Sequence, residues 1–366
     1  MKIIINQPRS SYYVGGAEMI SFDHAKYMHD LGNEVCFITI SPNSIGLTYS
    51  KQYKKFFKEY KSKIKFIELK QDTRIKYIYS INPGEDRSRW NVESISYTQK
   101  LYEYLVAQNK KFDVLFSYYN LDAIFIPRDI IKNNILYLCG IPKIQNDFQG
   151  SFLSAYDKII AISTEVKNAW KKYSKNEISV VTTGVDCERF NYNKKITKNS
   201  VINLLYVGRL IKRKNIEMII KAYNKLKSSY NLQLTIVGDG PDAERLKNLG
   251  GDVIFTGNVP NPEKYYKKSD IFISPSKYGE GLQGTILEAM SSGLTIVATN
   301  TNINKKLLSS HRGFTVNANL NSITKGIKCA IISNREQISN RCRQYVLINY
   351  SWLNKTKELL EVLKWI

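Results

Sequence analysis

Two glutamates, Glu280 and Glu288, are the residues of this sequence best suited to chemistry at a ligand site, and they frame the segment EGLQGTILE. If a helix starts near Gly284, Glu288 lies on it while Glu280 lies on the preceding loop, so both can line one cleft. Glycines between them let backbone N–H groups point at a phosphate. Apolar residues flank Glu288 on both sides, so its carboxylate needs a partner.

Two cations follow the apolar run LLYVG, where a strand would end: Arg209 and Lys214. Cations at a strand end can clamp a diphosphate, Arg through its fork of donors and Lys as a point charge. The alternative is a solvated face, because Lys212 and Arg213 intervene and the chain contains many basic runs.

A third candidate site is the pair Gly15-Gly16 in the segment GGAE, at a predicted junction between a strand and a helix. Glycine permits close backbone approach, and a helix N-terminus offers N–H groups to an anion. The alternative is a turn that merely starts a helix.

Short Ile- and Val-rich runs alternate with helical stretches along the chain, and these elements could position the candidate residues. The alternation is typical of parallel strands covered by helices on both faces. Predicted strands lie at 2–6, 34–40, 112–118, 134–140, 157–163 and 177–184, and again at 202–210, 232–240, 252–259, 270–276 and 294–300. Predicted helices include 16–31, 215–228, 285–293 and a final one within 350–366. The sequence therefore predicts an α/β protein of two Rossmann-like βα domains facing across a cleft, at the carboxyl ends of both sheets.

The composition is that of an ordinary globular protein with a large positive charge. The 366 residues include 54 Lys and Arg against 32 Asp and Glu, a net charge of +22, which indicates an anionic partner such as nucleic acid, an acidic membrane surface or a phosphorylated substrate. Five scattered cysteines without a CxxC suggest neither a disulfide framework nor a zinc site. The first residues lack the apolar region of a signal peptide and no run is long enough to span a membrane, so we expect a cytoplasmic protein.

The order and spacing of several motifs resemble the retaining glycosyltransferases of GT-B architecture, specifically family four (glycosyl transferases group 1), with its two glutamates separated by seven residues. The segments that carry the resemblance are GGAE, TTGVD, VGRLIKRKN, IVGDGPD, FTGNVP, EGLQGTILEAMSSG, IVATN and a terminal SW before a helix. The resemblance implies an N-terminal acceptor-side domain (1–185), a C-terminal donor domain (186–345) and a helix (346–366) that packs back on the N-terminal domain.

The resemblance also implies roles for individual residues. Arg209 and Lys214 match the pair that neutralises the nucleotide diphosphate, and Gly16, after Gly15, closes over the phosphates. Glu280 faces the transferred sugar, and Glu288 accepts hydrogen bonds from ribose hydroxyls. The remaining implied contacts are made by main-chain groups: Gly281, Leu282 and Gln283 at the sugar and β-phosphate, and Val259 at the nucleobase.

One position departs from the family pattern. Many relatives carry a His after the strand that here reads ILYLCGIP, where this chain has Cys139 or Gly140. We expect Cys139 to pack as a small hydrophobe in preference to contacting the sugar. His24 and His29 are expected on the surface of the first helix. No D-x-D triplet occurs, so neither a metal bridge to the diphosphate nor any other cofactor is expected.

The sequence therefore predicts a retaining transferase that moves a sugar from a nucleotide-sugar donor, UDP-linked, to a hydroxyl acceptor on a glycan or lipid. The chain is rich in Lys, Ile, Asn and Tyr, as expected for a protein from an AT-rich bacterial genome. We therefore expect a bacterial enzyme of surface polysaccharide synthesis.

A UDP-sugar epimerase of the same architecture is one alternative. A basic nucleic-acid or anionic-surface binding protein is another, although nothing resembles a nucleic-acid-binding motif. A nicotinamide oxidoreductase is disfavoured because IVGDGPD lacks the G-x-G-x-x-G spacing. The oligomeric state is left open.

The stretch 51–70 holds eight Lys against two Glu, interleaved with Tyr and Phe. It is either a solvated, Lys-rich helix and loop, or a patch that docks on anionic lipid at the inner face of a membrane. In the second case Tyr53, Phe56, Phe57 and Tyr60 would sit at the headgroup level beside the cations. The alternative places the aromatic side of the helix on the N-terminal sheet.

Overall fold

The computed structural model describes residues 1–13, 15–72, 87–118, 125–142, 152–191, 201–278 and 282–364. These residues form two compact units. The N-terminal unit comprises Met1–Thr182 together with Thr356–Ile366, and the C-terminal unit comprises Thr183–Lys355. The polar, basic stretch 187–200 has the composition of an inter-domain linker, and most of it, 192–200, lies outside the described residues.

The N-terminal unit is a parallel sheet with helices on both faces. Its strands are β1 (Lys2–Asn6), β2 (Glu34–Ile40), β3 (Lys65–Leu69), β4 (Phe112–Tyr118), β5 (Ile131–Leu138), β6 (Lys158–Ala161) and β7 (Ile178–Val180). Its helices are α1 (Gly16–Asp30), α2 (Lys51–Tyr60), α3 (Arg87–Gln108) and α4 (Thr164–Lys171). The strand order is β3-β2-β1-β4-β5-β6-β7, and the strand pairs of this sheet are parallel.

Both faces of this sheet are buried, which explains why its strands read as continuous apolar runs. Ile3 and Ile5 pack with residues of α1 and α2 on one face, whereas Ile4 packs with residues of α3 on the other. The final helix of the chain, α12 (Trp352–Lys364), adds Leu359 and Leu363 to the first of these cores. The predicted return of the C-terminal helix to the N-terminal domain is therefore confirmed.

The basic stretch 51–70 contains the helix α2 and the edge strand β3. The helix agrees with the sequence pattern, whereas the strand replaces the predicted loop. Tyr53, Phe56 and Tyr60 are buried in the core, where Phe56 stacks on Phe22 and Tyr53 lies tilted against the same ring. The hypothesis that these three rings sit in lipid headgroups is wrong, because the sheet already buries them. Phe57 is 37% exposed.

The C-terminal unit repeats the parallel design. Its strands are β8 (Ile202–Val207), β9 (Leu232–Val237), β10 (Ile254–Phe255), β11 (Ile271–Ser274), β12 (Thr295–Thr299) and β13 (Gly313–Val316), in the order β10-β9-β8-β11-β12-β13. Its helices are α5 (Ile216–Leu226), α6 (Ala243–Gly250), α7 (Glu263–Lys268), α8 (Gly284–Ser291), α9 (Asn302–Leu308), α10 (Leu320–Ile332) and α11 (Arg335–Asn349). Residues of α5 and α10 form the core on one face, and residues of α7, α8 and α11 form it on the other. The predicted α/β class with two Rossmann-like domains is confirmed.

Glycines bring two loops of the C-terminal unit into backbone contact at the carboxyl ends of β8 and β9. A Cβ atom on Gly238 would lie 2.0 Å from the carbonyl oxygen of Gly208, and one on Gly240 would lie 2.4 Å from that of Leu210. Gly238 also has a φ of +133°, which L side chains rarely adopt. The Gly208 N–H donates to the Val237 carbonyl at 3.0 Å. The loop after β9 therefore holds the loop that carries Arg209.

We expect Leu359→Ala to lower the free energy of unfolding by about 2–5 kcal/mol, because it leaves a cavity where a fully buried side chain now packs. Leu353→Ala, on the same helix but 41% exposed, is the matched control and should change it by about 0.5 kcal/mol or less. Urea unfolding of the full chain measures both. Equal effects of the two substitutions would contradict the packing described for α12.

A second comparison isolates the contact between the loops. Gly238→Ala and Gly251→Ala both force alanine into positive φ, at a cost of about 1–2 kcal/mol each. A Cβ on Gly251 meets nothing within 4 Å, so only Gly238→Ala should lose a further ~1–3 kcal/mol from the clash with the Gly208 carbonyl. Urea unfolding measures the difference, and indistinguishable stabilities would refute the steric role of Gly238.

Candidate functional site

Arg209 lies on the loop after β8, with its backbone fixed and its side chain exposed. The Tyr206 hydroxyl donates to the Arg209 carbonyl at 3.1 Å. The backbone N–H of the next residue, Leu210, donates to the Asp239 carbonyl at 2.9 Å, and the Leu210 carbonyl accepts from the Asp242 N–H at 3.0 Å. A rigid backbone thus presents a solvent-facing guanidinium.

Lys214 ends a short 3-10 turn, Lys212–Lys214, and its side chain is partly buried. Asn215, which follows, has a left-handed φ of 59° and begins α5. Its buried side-chain amide donates to the carbonyls of Pro275 and Ala318, both at 3.2 Å. Asn215 therefore joins the loops that follow β8, β11 and β13, and it fixes where Lys214 lies.

The predicted helix start near Gly284 is confirmed, since α8 begins there with Gln283 as its N-cap residue. The Gln283 side chain does not cap the helix; its Oε1 accepts from the Ser274 hydroxyl at 2.8 Å. Leu282 packs against the core below α8. The predicted roles of Glu280 and Gly281 concern residues that lie outside the described part of the chain.

Glu288 has the partner that its apolar surroundings require. The buried Tyr266 hydroxyl donates to Glu288 Oε2 at 2.7 Å. Burial raises the pKa of the Glu288 carboxyl, while the Tyr266 hydrogen bond and the charge of Arg189 act in the opposite direction. Both stabilise the ionised form of a carboxylate that is only partly exposed.

Val259 lies in the loop after β10 and packs partly against the core. Two residues earlier, the Gly257 carbonyl accepts from the Gly238 N–H at 2.9 Å, so this loop is tied to the loop after β9. The main chain around Val259 is therefore held at the same edge of the sheet as Arg209.

In the N-terminal unit, Gly15 caps α1 and Gly16 is its first residue. A Cβ on Gly15 would lie 2.6 Å from Glu18 Oε2 and 2.8 Å from the Tyr13 ring, so a larger residue there would have to displace these two side chains. A Cβ on Gly16 would meet nothing within 4 Å. Burial raises the pKa of the Glu18 carboxyl beneath this turn.

Cys139 packs against the core of the N-terminal unit, in line with the expectation that it acts as a small hydrophobe. Burial raises the pKa of its thiol. The expectation that His24 lies on the helix surface is wrong. His24 is 2% exposed, its Nδ1 is 2.7 Å from the Tyr118 hydroxyl, and burial lowers its pKa to about 3. The His24 side chain faces the sheet, where its ring packs edge-on against Phe116 and Tyr137. His29 is partly buried.

The structure brings together one set of predicted site residues. The set lies just after parallel strands of the C-terminal unit, in loops joined by backbone and side-chain hydrogen bonds for Arg209, Lys214, Val259 and Gln283, and on α8 for Glu288. Gly15 and Gly16 belong to the N-terminal unit.

Sequence reasoning missed Asn215 and Tyr266. The position of Asn215 before a helix was an available signal. Nothing in the local pattern distinguishes Tyr266 among 25 tyrosines. Its role depends on a helix-to-helix contact.

The described residues contain neither a cluster of metal ligands nor a membrane-spanning helix. Among them no group of three or more His, Cys, Asp or Glu side chains is arranged to hold a metal ion. No helix in the same ranges has both the length and the apolar character needed to cross a bilayer.

Known proteins resemble this chain in both sequence and fold. It is 30% identical over 252 residues to an uncharacterized glycosyltransferase of Methanocaldococcus jannaschii, covering 60% of this chain and 64% of that protein. It is 26% identical over 215 residues to the lipopolysaccharide 1,2-N-acetylglucosaminetransferase of Salmonella typhimurium, covering 51% and 56%. The chain thus spans less than two thirds of each of these relatives.

The fold match extends over the whole chain. The structure of HepE from Anabaena in complex with UDP and glucose superposes with a TM-score of 0.71, covering 100% of both chains at 16% identity. The likeness shows that this chain has the GT-B fold. Residues 202–331, which carry Arg209, Lys214 and Glu288, match the family model described as glycosyl transferases group 1. The resemblance to the glycosyl transferases group 1 family that the motifs predict is confirmed over residues 202–331, the segment that matches the family model.

Proposed function

We propose that the protein is a glycosyltransferase that moves a sugar from a nucleotide-sugar donor to a hydroxyl acceptor. The observation that carries the proposal is the arrangement inside the matched segment, where Arg209 and Lys214 follow β8 and Glu288 lies on α8, the helix that follows the neighbouring strand β11. Cations and an anchored carboxylate at the carboxyl edge of a parallel sheet suit a nucleoside diphosphate, with phosphates at the cations and ribose hydroxyls at the carboxylate.

In this mechanism the diphosphate is the leaving group. Breaking the bond between the anomeric carbon and the phosphate oxygen leaves added negative charge on the diphosphate, and Arg209 and Lys214 would stabilise it. The cations take the place of a metal ion in this proposal. The fixed backbone of Arg209 favours this role, because a preorganised donor needs little rearrangement as the charge develops.

We propose further that the transfer retains configuration. The acceptor oxygen attacks on the face that the diphosphate leaves, and the departing phosphate oxygen takes the acceptor proton. Glu280 would face the transferred sugar and steady the positive charge that develops at its ring. Leu282 and Gln283, beside Gly281, would offer main-chain N–H groups to the sugar and β-phosphate at the start of α8.

UDP is the proposed nucleotide and a surface glycan, or its lipid-linked precursor, the proposed acceptor. The UDP complex of HepE supports the first, and the lipopolysaccharide enzyme of Salmonella supports the second. A thermal-shift screen over UDP, GDP, ADP, CMP and their common sugars tests the donor, because a bound ligand raises apparent stability by mass action. No shift with any nucleotide would refute the proposed function.

We expect Arg209→Ala and Lys214→Ala each to weaken UDP binding about ten- to a hundredfold, the loss of one charge-assisted contact of roughly 1.5–3 kcal/mol. Lys212→Ala, in the same basic run and exposed, is the matched control and should leave affinity within about twofold. Titration calorimetry measures all three. Unchanged affinity in both site variants would refute the diphosphate assignment.

The two glutamates should separate by role. Glu288→Ala should weaken binding of UDP alone, because its proposed partner is the ribose. Glu280→Ala should leave UDP affinity nearly intact and lower kcat, because its proposed partner is the transferred sugar. Calorimetry and initial rates distinguish the two, and the opposite pattern would reverse the assignment.

We also propose that the N-terminal unit docks on anionic membrane through the exposed lysines of 51–70. With three aromatic rings of α2 buried, the attraction is electrostatic, and Lys51, Lys54 and Lys58 lie exposed on the opposite face of the helix. Such a surface would bring the enzyme to a lipid-linked acceptor on the inner face of a membrane.

Replacing Lys54, Lys55, Lys58 and Lys61 with Gln should release the protein from vesicles rich in phosphatidylglycerol. Each lysine near the surface should contribute about 1 kcal/mol to the free energy of binding. Donor hydrolysis in solution should not change. Replacing Lys305, Lys306, Lys325 and Lys328, which are exposed on the C-terminal unit, removes the same charge elsewhere and serves as the control. Co-sedimentation at rising salt measures binding. Equal release by the two sets would show that net charge alone is responsible.

A further inference from the structure

Tyr266 connects the proposed ribose carboxylate to the core of the C-terminal unit. The side chain is fully buried, and its hydroxyl donates to Glu288 Oε2 at 2.7 Å. The next contact of that hydroxyl, the Thr285 carbonyl, is weaker at 3.4 Å. The hydroxyl is therefore committed to one carboxylate oxygen.

The Tyr266 ring is held by aromatic neighbours that leave it little freedom. Phe190 contacts it edge-on with ring centroids 5.3 Å apart, and Phe272 of β11 stacks on it at 5.8 Å. Because the strand fixes Phe272, the hydroxyl has a fixed position relative to the sheet. Glu288, on α8, receives its hydrogen bond from a rigid donor.

The guanidinium of Arg189 lies close to the same two helices as Tyr266 and Glu288. Arg189 bonds to Glu263 at the start of α7, with its Nε and Nη2 at 3.1 and 2.9 Å from Oε2. The same guanidinium reaches the Pro260 carbonyl at 3.4 Å, next to Val259. Its charge also favours the ionised form of Glu288. The supports of the proposed nucleobase loop and of the proposed ribose carboxylate therefore both converge on α7.

We infer that Tyr266 is a positioning residue for ribose recognition: its hydroxyl occupies Glu288 Oε2 and so presents Oε1 to the ribose hydroxyls. In the described part of the chain no group donates to Oε1, whereas Oε2 has a donor. Without that donor the buried carboxylate would lose its fixed rotamer, and its pKa would rise further because the Tyr266 hydrogen bond would no longer oppose the effect of burial. This inference rests on the proposed function, in which Glu288 binds ribose.

The test compares UDP with 2′,3′-dideoxy-UDP, which lacks both ribose hydroxyls, by calorimetry on the full chain. The wild type should bind UDP about ten- to a hundredfold more tightly than the dideoxy form, because the charge-assisted hydrogen bond that the ribose hydroxyls make to Glu288 Oε1 is lost. Tyr266→Phe keeps the ring contacts and should reduce that ratio to about threefold or less, with dideoxy-UDP affinity unchanged. A merely structural role would weaken both ligands equally.

Tyr223→Phe is the matched control, because it removes a Tyr–carboxylate hydrogen bond of similar length, 2.8 Å to Asp252, away from the site. It should leave the ratio at the wild-type value. Glu288→Asp tests the same contact without altering Tyr266, since the shorter side chain draws the carboxylate away from the hydroxyl. It too should lower the ratio.

Three results would overturn the inference: equal weakening of both ligands in Tyr266→Phe, a wild-type ratio in Glu288→Asp, or no ribose preference in the wild type. Each of these results is compatible with a protein that binds UDP and hydrolyses a UDP-sugar, so the proposed function would stand. Absence of nucleotide binding in the wild type would instead remove the proposed function, and the inference with it.

Discussion

The close approach of the loops after β8 and β9 is the constraint on which the candidate site depends. Backbone lies on backbone there, and a single Cβ at Gly238 would come within 2.0 Å of the Gly208 carbonyl. Only because that space is empty can Leu210 bond to Asp239 and the Arg209 carbonyl receive the Tyr206 hydroxyl. The backbone position of Arg209 thus depends on the absence of a side chain at Gly238 in the neighbouring loop.

Burial on both sides of each sheet decides where charge can lie. The strand interiors are closed to ionised groups, so the polar side chains collect at strand ends, where Asn215 joins three loops through the Pro275 and Ala318 carbonyls. Two titratable side chains away from the strand ends follow the same rule. Glu288 is partly buried but has the Tyr266 hydroxyl, and His24 is buried as a neutral ring beside the Tyr118 hydroxyl. In both cases the hydroxyl partner reduces the cost of desolvation.

The N-terminal unit separates its charges and its rings across one helix. Along α2 the buried rings Tyr53 and Phe56 pack on the sheet, and the lysines between them remain in solvent. One amphipathic pattern thereby serves two purposes, because the apolar face anchors the helix while the basic face is left for an anionic partner. α12 supplies Leu359 to the same core from the far end of the chain, which places both chain ends in one unit.

The sequence by itself determined the class of fold, all strands except β3 and β13, and the residues that could bind a diphosphate, because each depends on local pattern. Ile- and Val-rich runs must be buried, glycines mark close turns, and Arg209, Lys214 and Glu288 follow strands by a few residues or one helix. Only the tertiary structure decided the partners. Tyr266 and Glu288 are 22 residues apart, and His24 and Tyr118 are 94 apart. Their contacts arise from how helices pack on a sheet, and side-chain spacing along the chain does not encode that packing.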